Sequence, residues 1–406
     1  MIKNKSVFLA PVWTDDYTTF VCALRKDARY IEAEKGSGPQ YMLPYINRIY
    51  GDSTLFSEFE LKGEYIPRIC KFEKYLSLSS APVLNKIRLS CFSTGCVFAE
   101  LHIEYSELDI EEIADFSFHF KNAKRRGDEE LPTMEEALSR LMPEKVAHKL
   151  FFTAKDFKLE CKIFHRICTG QPLREERLES CLVHLRRGYH RGFSMPKTSC
   201  EYDMIYQPYS YDSWAGSQEG LVNIYNFTGD ETTDKFLENY KPLQLDNNYF
   251  FMYLLLLNQR FSAISYLDKI SESEKYTRRA KEKLNLKISR LKTVFSFSVV
   301  SDDQLYQNLY TKMYAILDID RLLCDIHDSE SQIDMLRNNE MLESEKKTST
   351  FLFALSVLSL FSVLVDAAGY FDRFSLLEKI STPLSLVCLI AIVISYLVWM
   401  IKYRMK

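Results

Sequence analysis

Two long uncharged apolar runs near the carboxyl end constrain this chain more than any other feature. The first runs from Thr350 to Val365 and continues, after Asp366, to Phe371. The second, from Ile380 to Ile401, has 22 residues. At 1.5 Å per residue it would extend roughly 33 Å, which is enough to cross a hydrocarbon core of about 30 Å. We therefore predict a C-terminal hairpin of two transmembrane helices.

The flanking charges predict its orientation. The tail at 402–406 has three cations, and Lys346 and Lys347 precede the first span. Because basic residues favour the cytoplasmic side, both termini are expected inside, with the hairpin tip outside. The first residues lack the long apolar stretch of a signal peptide. These features predict a multi-pass protein of the inner (plasma) membrane.

The remaining sequence has the pattern of an α+β domain. Alternating apolar residues predict two adjacent strands at 87–92 and 97–105, with the turn at Ser93-Thr-Gly95. A helix is predicted at 132–141, a long loop at 202–220 and a further strand at 221–227. The predicted fold class is thus an α+β cytosolic domain followed by a long stalk helix and a C-terminal two-helix transmembrane hairpin. The predicted boundaries are 1–240 for the α+β domain, 241–300 for a helical region, 301–348 for the stalk, 349–371 for the first span, 372–379 for the external loop, 380–401 for the second span and 402–406 for a basic tail.

The stalk contains no glycine or proline between Asp302 and Gly369. Apolar residues recur there at three, four or seven positions, in a near-heptad stripe, at Leu305, Leu309, Ile316, Ile319, Leu323, Ile326 and Ile333. This pattern predicts one helix that continues into the first span, with a break at Thr348-Ser-Thr350, where helix propensity is low, as the alternative. Such a stripe must be buried by the chain's own helices or by symmetry mates, and we expect a homo-oligomer, a tetramer or pentamer.

One face of the first predicted span is polar. Ser356, Ser359, Ser362 and Asp366 fall within an arc of about 120° at 100° per residue, and Thr348 lies on the same face. Polar residues in a span face either a neighbouring helix or a water-filled path. We predict these five residues to line a pore, with close helix packing as the alternative. Eleven acidic and five basic residues between 302 and 347 would attract cations to it.

Basic residues cluster elsewhere in the chain. One cluster contains Arg186, Arg187, His190 and Arg191. Tyr189 and Phe193 are interleaved with it, a mixture that suits phosphate contacts and base stacking. A solvated basic surface is the alternative. The candidate ligand-binding residues, for a nucleotide or oligonucleotide, are Lys124, Arg125, Arg126, Arg186, Arg187, His190, Arg191, Arg278 and Arg279.

Motifs of catalysis and metal binding are absent from the sequence. There is no Walker, dinucleotide-binding, zinc-protease or serine-hydrolase pattern. The ten cysteines show no short paired spacing and are interpreted as ordinary thiols. We therefore predict a protein that is not an enzyme and needs no metal or cofactor.

The order of a cytosolic α+β domain, a long helix, two spans and the basic tail at 402–406 resembles the CorA-type cation channels. Their Gly-Met-Asn signature is replaced here by Gly369-Tyr370-Phe371. The basic surface is similar to that of bacterial antiphage membrane effectors, including the Hailong-type channel. These resemblances imply a ligand-gated homo-oligomeric ion channel in the lipid bilayer. The alternatives are a CorA-type divalent cation transporter and a membrane-anchored scaffold.

Overall fold

A computed structural model of the chain describes residues 4–34, 38–68, 80–122, 134–143, 146–151, 159–193, 205–272 and 276–371. Contacts divide the chain into two units, Met1–Ser329 and Glu330–Lys406. Within the described residues, ten strands form one sheet in the first unit.

The strands are β1 (Asn4–Thr14), β2 (Tyr30–Glu32), β3 (Phe56–Leu61), β4 (Val83–Phe92), β5 (Cys96–Tyr105), β6 (His148–Leu150), β7 (Lys162–Cys168), β8 (Ile205–Tyr209), β9 (Asp212–Gly216) and β10 (Gly220–Tyr225). Their order across the sheet is β2-β3-β4-β5-β1-β7-β10-β9-β8, and β6 pairs separately with β1. Strands β7 and β10 are parallel, and the other neighbouring pairs are antiparallel.

The helices are α1 (Tyr17–Lys26), α2 (Pro44–Gly51), α3 (Ile110–Asn122), α4 (Met134–Leu141), α5 (Glu175–Arg187), α6 (Glu231–Asn239), α7 (Lys241–Gln244), α8 (Phe250–Ser271), α9 (Arg278–Val294), α10 (Gln304–Ile316) and α11 (Ile319–Phe371). A π-helical turn, Leu245–Tyr249, joins α7 to α8.

One face of the sheet, here called the apolar face, contains the main hydrophobic core. Alternate residues of a strand point to opposite faces, so Phe8, Ala10 and Val12 of β1 lie together on this side. They belong to one buried cluster with residues of α1, α3, α4 and α5. Burying these side chains, at about 25 cal/mol per Å² of apolar surface, is the main stabilising contribution on this side.

The opposite face, here called the charged face, mixes aromatic rings with ionisable groups. Glu58 of β3 and Arg88 of β4 form an ion pair of 3.1 Å, and Glu100 and His102 of β5 contact each other at 2.9 Å. Phe250 of α8 packs edge-to-face on His102. Burial raises the pKa of Glu58 and of Glu100, because a buried carboxylate loses its hydration.

The α+β character and several local elements agree with the sequence predictions. The strand pair is confirmed as β4 and β5, and its turn requires Gly95, which has φ +104° and whose Cβ would lie 2.5 Å from the Thr14 carbonyl oxygen. The predicted helix at 132–141 and strand at 221–227 correspond to α4 and β10. The predicted loop at 202–220 is wrong, because β8 and β9 occupy much of it and extend the sheet.

The prediction of one uninterrupted stalk helix from Asp302 also needs correction. Helix α10 ends at Ile316, and Asp318, with φ +52°, separates it from α11. A left-handed residue reverses the helical backbone, so the helix cannot continue through it. Leu309 and Ile326 of the predicted stripe are buried by the chain itself.

The predicted transmembrane hairpin is overturned, and with it the multi-pass membrane location. Among the described residues, no helix is long and apolar enough to cross a bilayer. The loop at 372–379, the second span at 380–401 and the tail at 402–406 lie outside the described residues. The channel, transporter and anchor hypotheses all assumed this hairpin, and the described residues do not test them directly.

Candidate functional site

A cavity of about 320 Å³ lies between α3 and α5 and is closed on one side by the loop that follows α5. Its walls carry both signs of charge together with a histidine, a serine and a cysteine. The lining residues are Ile110, Glu111, Ala114, Arg177, Ser180, Cys181, His184, Arg191 and Gly192.

Helical spacing explains how α5 contributes to this cavity. Ser180, Cys181 and His184 lie three, four and seven positions after Arg177 and therefore share one face of the helix with it. The helix ends at Gly188, which has φ +62° and whose N–H donates to the Leu185 carbonyl. This left-handed cap turns the chain back toward α3.

The loop after α5 is fastened to α3 through one carboxylate. Asp115 accepts a hydrogen bond from the Arg191 backbone N–H at 2.8 Å and pairs with Arg191 Nε at 2.7 Å. The arginine side chain is nevertheless 61% exposed. Its guanidinium is thus held at the rim while much of its surface faces solvent.

Arg177 forms the other cationic part of the rim. It contacts Asp109 at 2.9 Å and Glu111 at 3.3 Å, and its side chain is 46% exposed. Ion pairs in such exposed positions contribute only about 0–1 kcal/mol, because solvent screens them. An incoming phosphate can therefore replace a carboxylate partner at small cost.

The inner wall favours binding over covalent chemistry. The Nδ1 atom of His184 lies 2.7 Å from the Ser180 carbonyl oxygen, so this nitrogen carries a proton and donates it. Burial, with a smaller contribution from Glu111, raises the pKa of the Cys181 thiol to about 11. At neutral pH Cys181 is therefore a thiol and not a nucleophilic thiolate.

Aromatic side chains lie beside the rim. The rings of Tyr189 and Phe193 are 4.4 Å apart, and those of Phe118 and His190 are 5.0 Å apart. Phe193 is 45% exposed, so part of this planar surface is open to solvent. Such rings offer a stacking partner to a planar ligand.

The candidate ligand-binding residues predicted from sequence are distributed unevenly. Arg191 lies on the rim, and His190 is half-buried next to it. Arg186 is fully buried and donates to the Gly216 carbonyl at 3.1 Å, so its guanidinium supports the fold. Arg187 is half-buried, and Arg279 is exposed on α9, which does not line the cavity. Residues Lys124, Arg125 and Arg126 and the side chain of Arg278 lie outside the described part.

Sequence reasoning did not select Glu111, Ser180 or His184 as site residues. The available signal was the three- and four-residue spacing along α5, which places Arg177, Ser180 and His184 on one face. Spacing alone could not show that α3 packs against this face.

The predicted pore-lining residues lie on α11. Thr348, Ser356, Ser359 and Ser362 are exposed, and Ser356 Oγ donates to the Leu352 carbonyl of its own helix at 2.9 Å. The side chain of Asp366 lies outside the described residues. The described part of α11 does not test whether these residues line a pore, so this assignment stays a prediction.

Metal binding has no support within the described ranges, where no three histidine, cysteine, aspartate or glutamate residues come together as a metal site.

Comparisons with known protein families, with curated proteins and with solved structures give no match.

Proposed function

We propose that this protein binds a small phosphorylated molecule of about mononucleotide size in the cavity between α3 and α5. The observation that carries the proposal is the pair of exposed arginines, Arg177 and Arg191, on the rim of one cavity. Guanidinium groups match phosphate oxygens in both charge and geometry.

The size of the cavity supports a small ligand. Ligand sites typically occupy about 300–1,000 Å³, and a volume of about 320 Å³ is at the lower end of this range. This is room for one nucleotide and not for a chain of them. Tyr189 and Phe193 would stack on the planar part, while Glu111 offers an acceptor for hydroxyl or amino hydrogens.

The test is a calorimetric titration of the purified protein with adenosine 5′-monophosphate, adenosine and inorganic phosphate. We expect saturable binding of the nucleotide, weaker binding of phosphate and the weakest binding of adenosine. In Arg191→Ala and Arg177→Ala, nucleotide affinity should fall about tenfold or more, since a charge-assisted hydrogen bond contributes about 1.5–3 kcal/mol.

Arg174→Ala is the matched control, because Arg174 is an exposed arginine just before α5 that does not line the cavity. The nucleotide affinity of Arg174→Ala should equal that of the unchanged protein. No saturable binding of the nucleotide, or an equal loss in all three arginine variants, would overturn the proposal.

A further inference from the structure

Helix α9 has a different electrostatic character from the cavity. Over residues 279–292 it carries six cationic residues and one acidic residue, Glu282. The cations are Arg279, Lys281, Lys283, Lys287, Arg290 and Lys292. Such a density of one sign on a helix of seventeen residues produces a local positive potential even though the whole chain has a net charge of −3.

The helix has two distinct sides. Leu284, Ile288 and Leu291 are buried and attach α9 to the domain. At 100° per residue, Arg279, Lys283, Leu286 and Arg290 fall within an arc of about 60° on the other side. All four are exposed, and Leu286 is 72% exposed. We call these four residues the basic stripe.

Two lysines beside the stripe have hydrogen-bond partners at Asp15. Lys269 contacts the Asp15 carboxylate, and Lys287 donates to the Asp15 carbonyl at 2.6 Å. Among the described residues, no carboxylate oxygen lies within 4.0 Å of the cationic groups of Arg279, Lys283 or Arg290. The stripe thus has cations available to an external partner.

Lys269 of α8 lies close to Lys283 and Lys287 of α9. Its ammonium lies 5.1 Å from the centre of the Trp13 ring. Burial, followed by repulsion from Lys287 and Lys283, lowers the pKa of Lys269 to about 8. The ammonium groups of Lys269, Lys283 and Lys287 therefore lie close together.

We propose that the basic stripe binds the phosphate backbone of double-stranded nucleic acid without reading its sequence. From Arg279 to Arg290 the stripe rises about 16 Å, the length of about five phosphates along one strand. The stripe contains no aromatic residue, which favours contact with the backbone over stacking on exposed bases. This site is separate from the cavity, and neither proposal depends on the other.

The test is fluorescence anisotropy with a labelled 20-base-pair DNA duplex and an RNA duplex of the same length, at several salt concentrations. Three phosphate contacts predict a slope of about −2.7 in a plot of log affinity against log salt for DNA. Similar affinity for unrelated DNA sequences is expected, with binding of the RNA duplex in the same range. A slope near zero would contradict the proposal.

The decisive variant combines Arg279→Glu, Lys283→Glu and Arg290→Glu. Its matched control combines Arg48→Glu, Arg174→Glu and Lys235→Glu, which are exposed residues on or next to α2, α5 and α6 and give the same change of net charge. We expect at least a hundredfold loss of duplex affinity in the first variant and less than a threefold loss in the control. Equal losses would show a response to net charge alone and would overturn the proposal.

Leu286→Ala separates nucleic acid from a lipid surface, because only lipid binding gains from an inserted apolar side chain. Duplex binding should be unchanged in this variant. Tighter binding of vesicles of phosphatidylserine and phosphatidylcholine than of duplex, with loss of that binding in Leu286→Ala, would assign the stripe to lipid and contradict the proposal. Circular dichroism melting checks that all variants are folded.

Discussion

The two faces of the sheet are built from the same strands but are stabilised by different forces. On the apolar face, Phe8 packs edge-to-face on Phe120 at 4.6 Å and on Phe116 at 6.2 Å. On the charged face, the carboxyl groups of Glu58 and Glu100 are buried. Burial stabilises the first set in proportion to area, whereas in the second the cost of desolvation offsets much of the attraction between charges. Substitutions on the two faces should therefore differ in size and in pH dependence.

The largest effect is expected for Phe8→Ala on the apolar face. Removing a fully buried ring leaves a cavity and should lower the free energy of unfolding by about 3–5 kcal/mol. Urea denaturation at pH 7 measures this loss, and Phe8→Leu, which keeps most of the volume, should lose about 1–2 kcal/mol. A loss below about 1 kcal/mol in Phe8→Ala would show that the apolar face is not the main core.

An intermediate effect is expected from acid, through His165 on the apolar face. This imidazole is buried, with Nδ1 at 2.7 Å from Ser6 Oγ, and burial lowers its pKa to about 3. The pKa in the folded state is below the unfolded value of about 6.5, so the stabilising contribution is complete above that value and is lost as the pH falls toward 3. Between pH 6.5 and 4.5 this residue should account for a loss of roughly 2–3 kcal/mol.

His102 on the charged face contributes in the same direction, since burial also lowers its pKa. A single-site variant is therefore needed to assign the loss of stability in acid to His165. In His165→Gln, the slope of unfolding free energy against pH should change by about 1.4 kcal/mol per pH unit between pH 4.5 and 6. His148→Gln, at an exposed histidine on the short strand β6, is the control and should leave the slope unchanged. Identical slopes in all three proteins would contradict the assignment of His165.

The smallest effect is expected for Glu100→Gln on the charged face. Its pKa is raised by burial, so the stability it contributes is complete below about pH 4.5 and is lost as the pH rises through the folded-state pKa. At pH 8 the free energy of unfolding of Glu100→Gln should be at most about 1 kcal/mol below that of the unchanged protein, or above it. At pH 4.5 the variant should be less stable relative to the unchanged protein than it is at pH 8. Glu104→Gln, on the same strand but only half-buried, is the control. A loss above about 2 kcal/mol at pH 8 would show that the ionised Glu100 stabilises this face.

Short-range patterns predicted part of the fold. The β4–β5 pair followed from alternation and from the turn residues Ser93-Thr-Gly95, and the predicted helical region at 241–300 contains α8. The strands β8 and β9 were missed because Tyr, Ser, Asp and Gly are common in turns, and only pairing with β10 places them in the sheet. Apolarity alone also predicted a membrane span that no described helix provides.

The candidate site was predicted less well than the fold. Sequence marked Arg186 and Arg191 equally as candidate ligand contacts, since both are cations in one short stretch. In the structure Arg186 is buried at the Gly216 carbonyl, while Arg191 lies on the cavity rim. The end of α5 at Gly188 lies between these two residues. The direction of the chain after Gly188 decides which of the two cations is exposed to solvent.

What the sequence determined by itself is therefore local: the alternation along the strands, the turn at Gly95 and the basic composition of α9. These depend on residues a few positions apart, whose preferences are set by backbone sterics and by burial of one side. Only the tertiary structure decided which charges meet. Asp115 and Arg191 are 76 positions apart, and their contact exists because α3 packs against α5. Charge interactions depend on distance and on local solvent, and neither is encoded in the neighbouring residues of either partner.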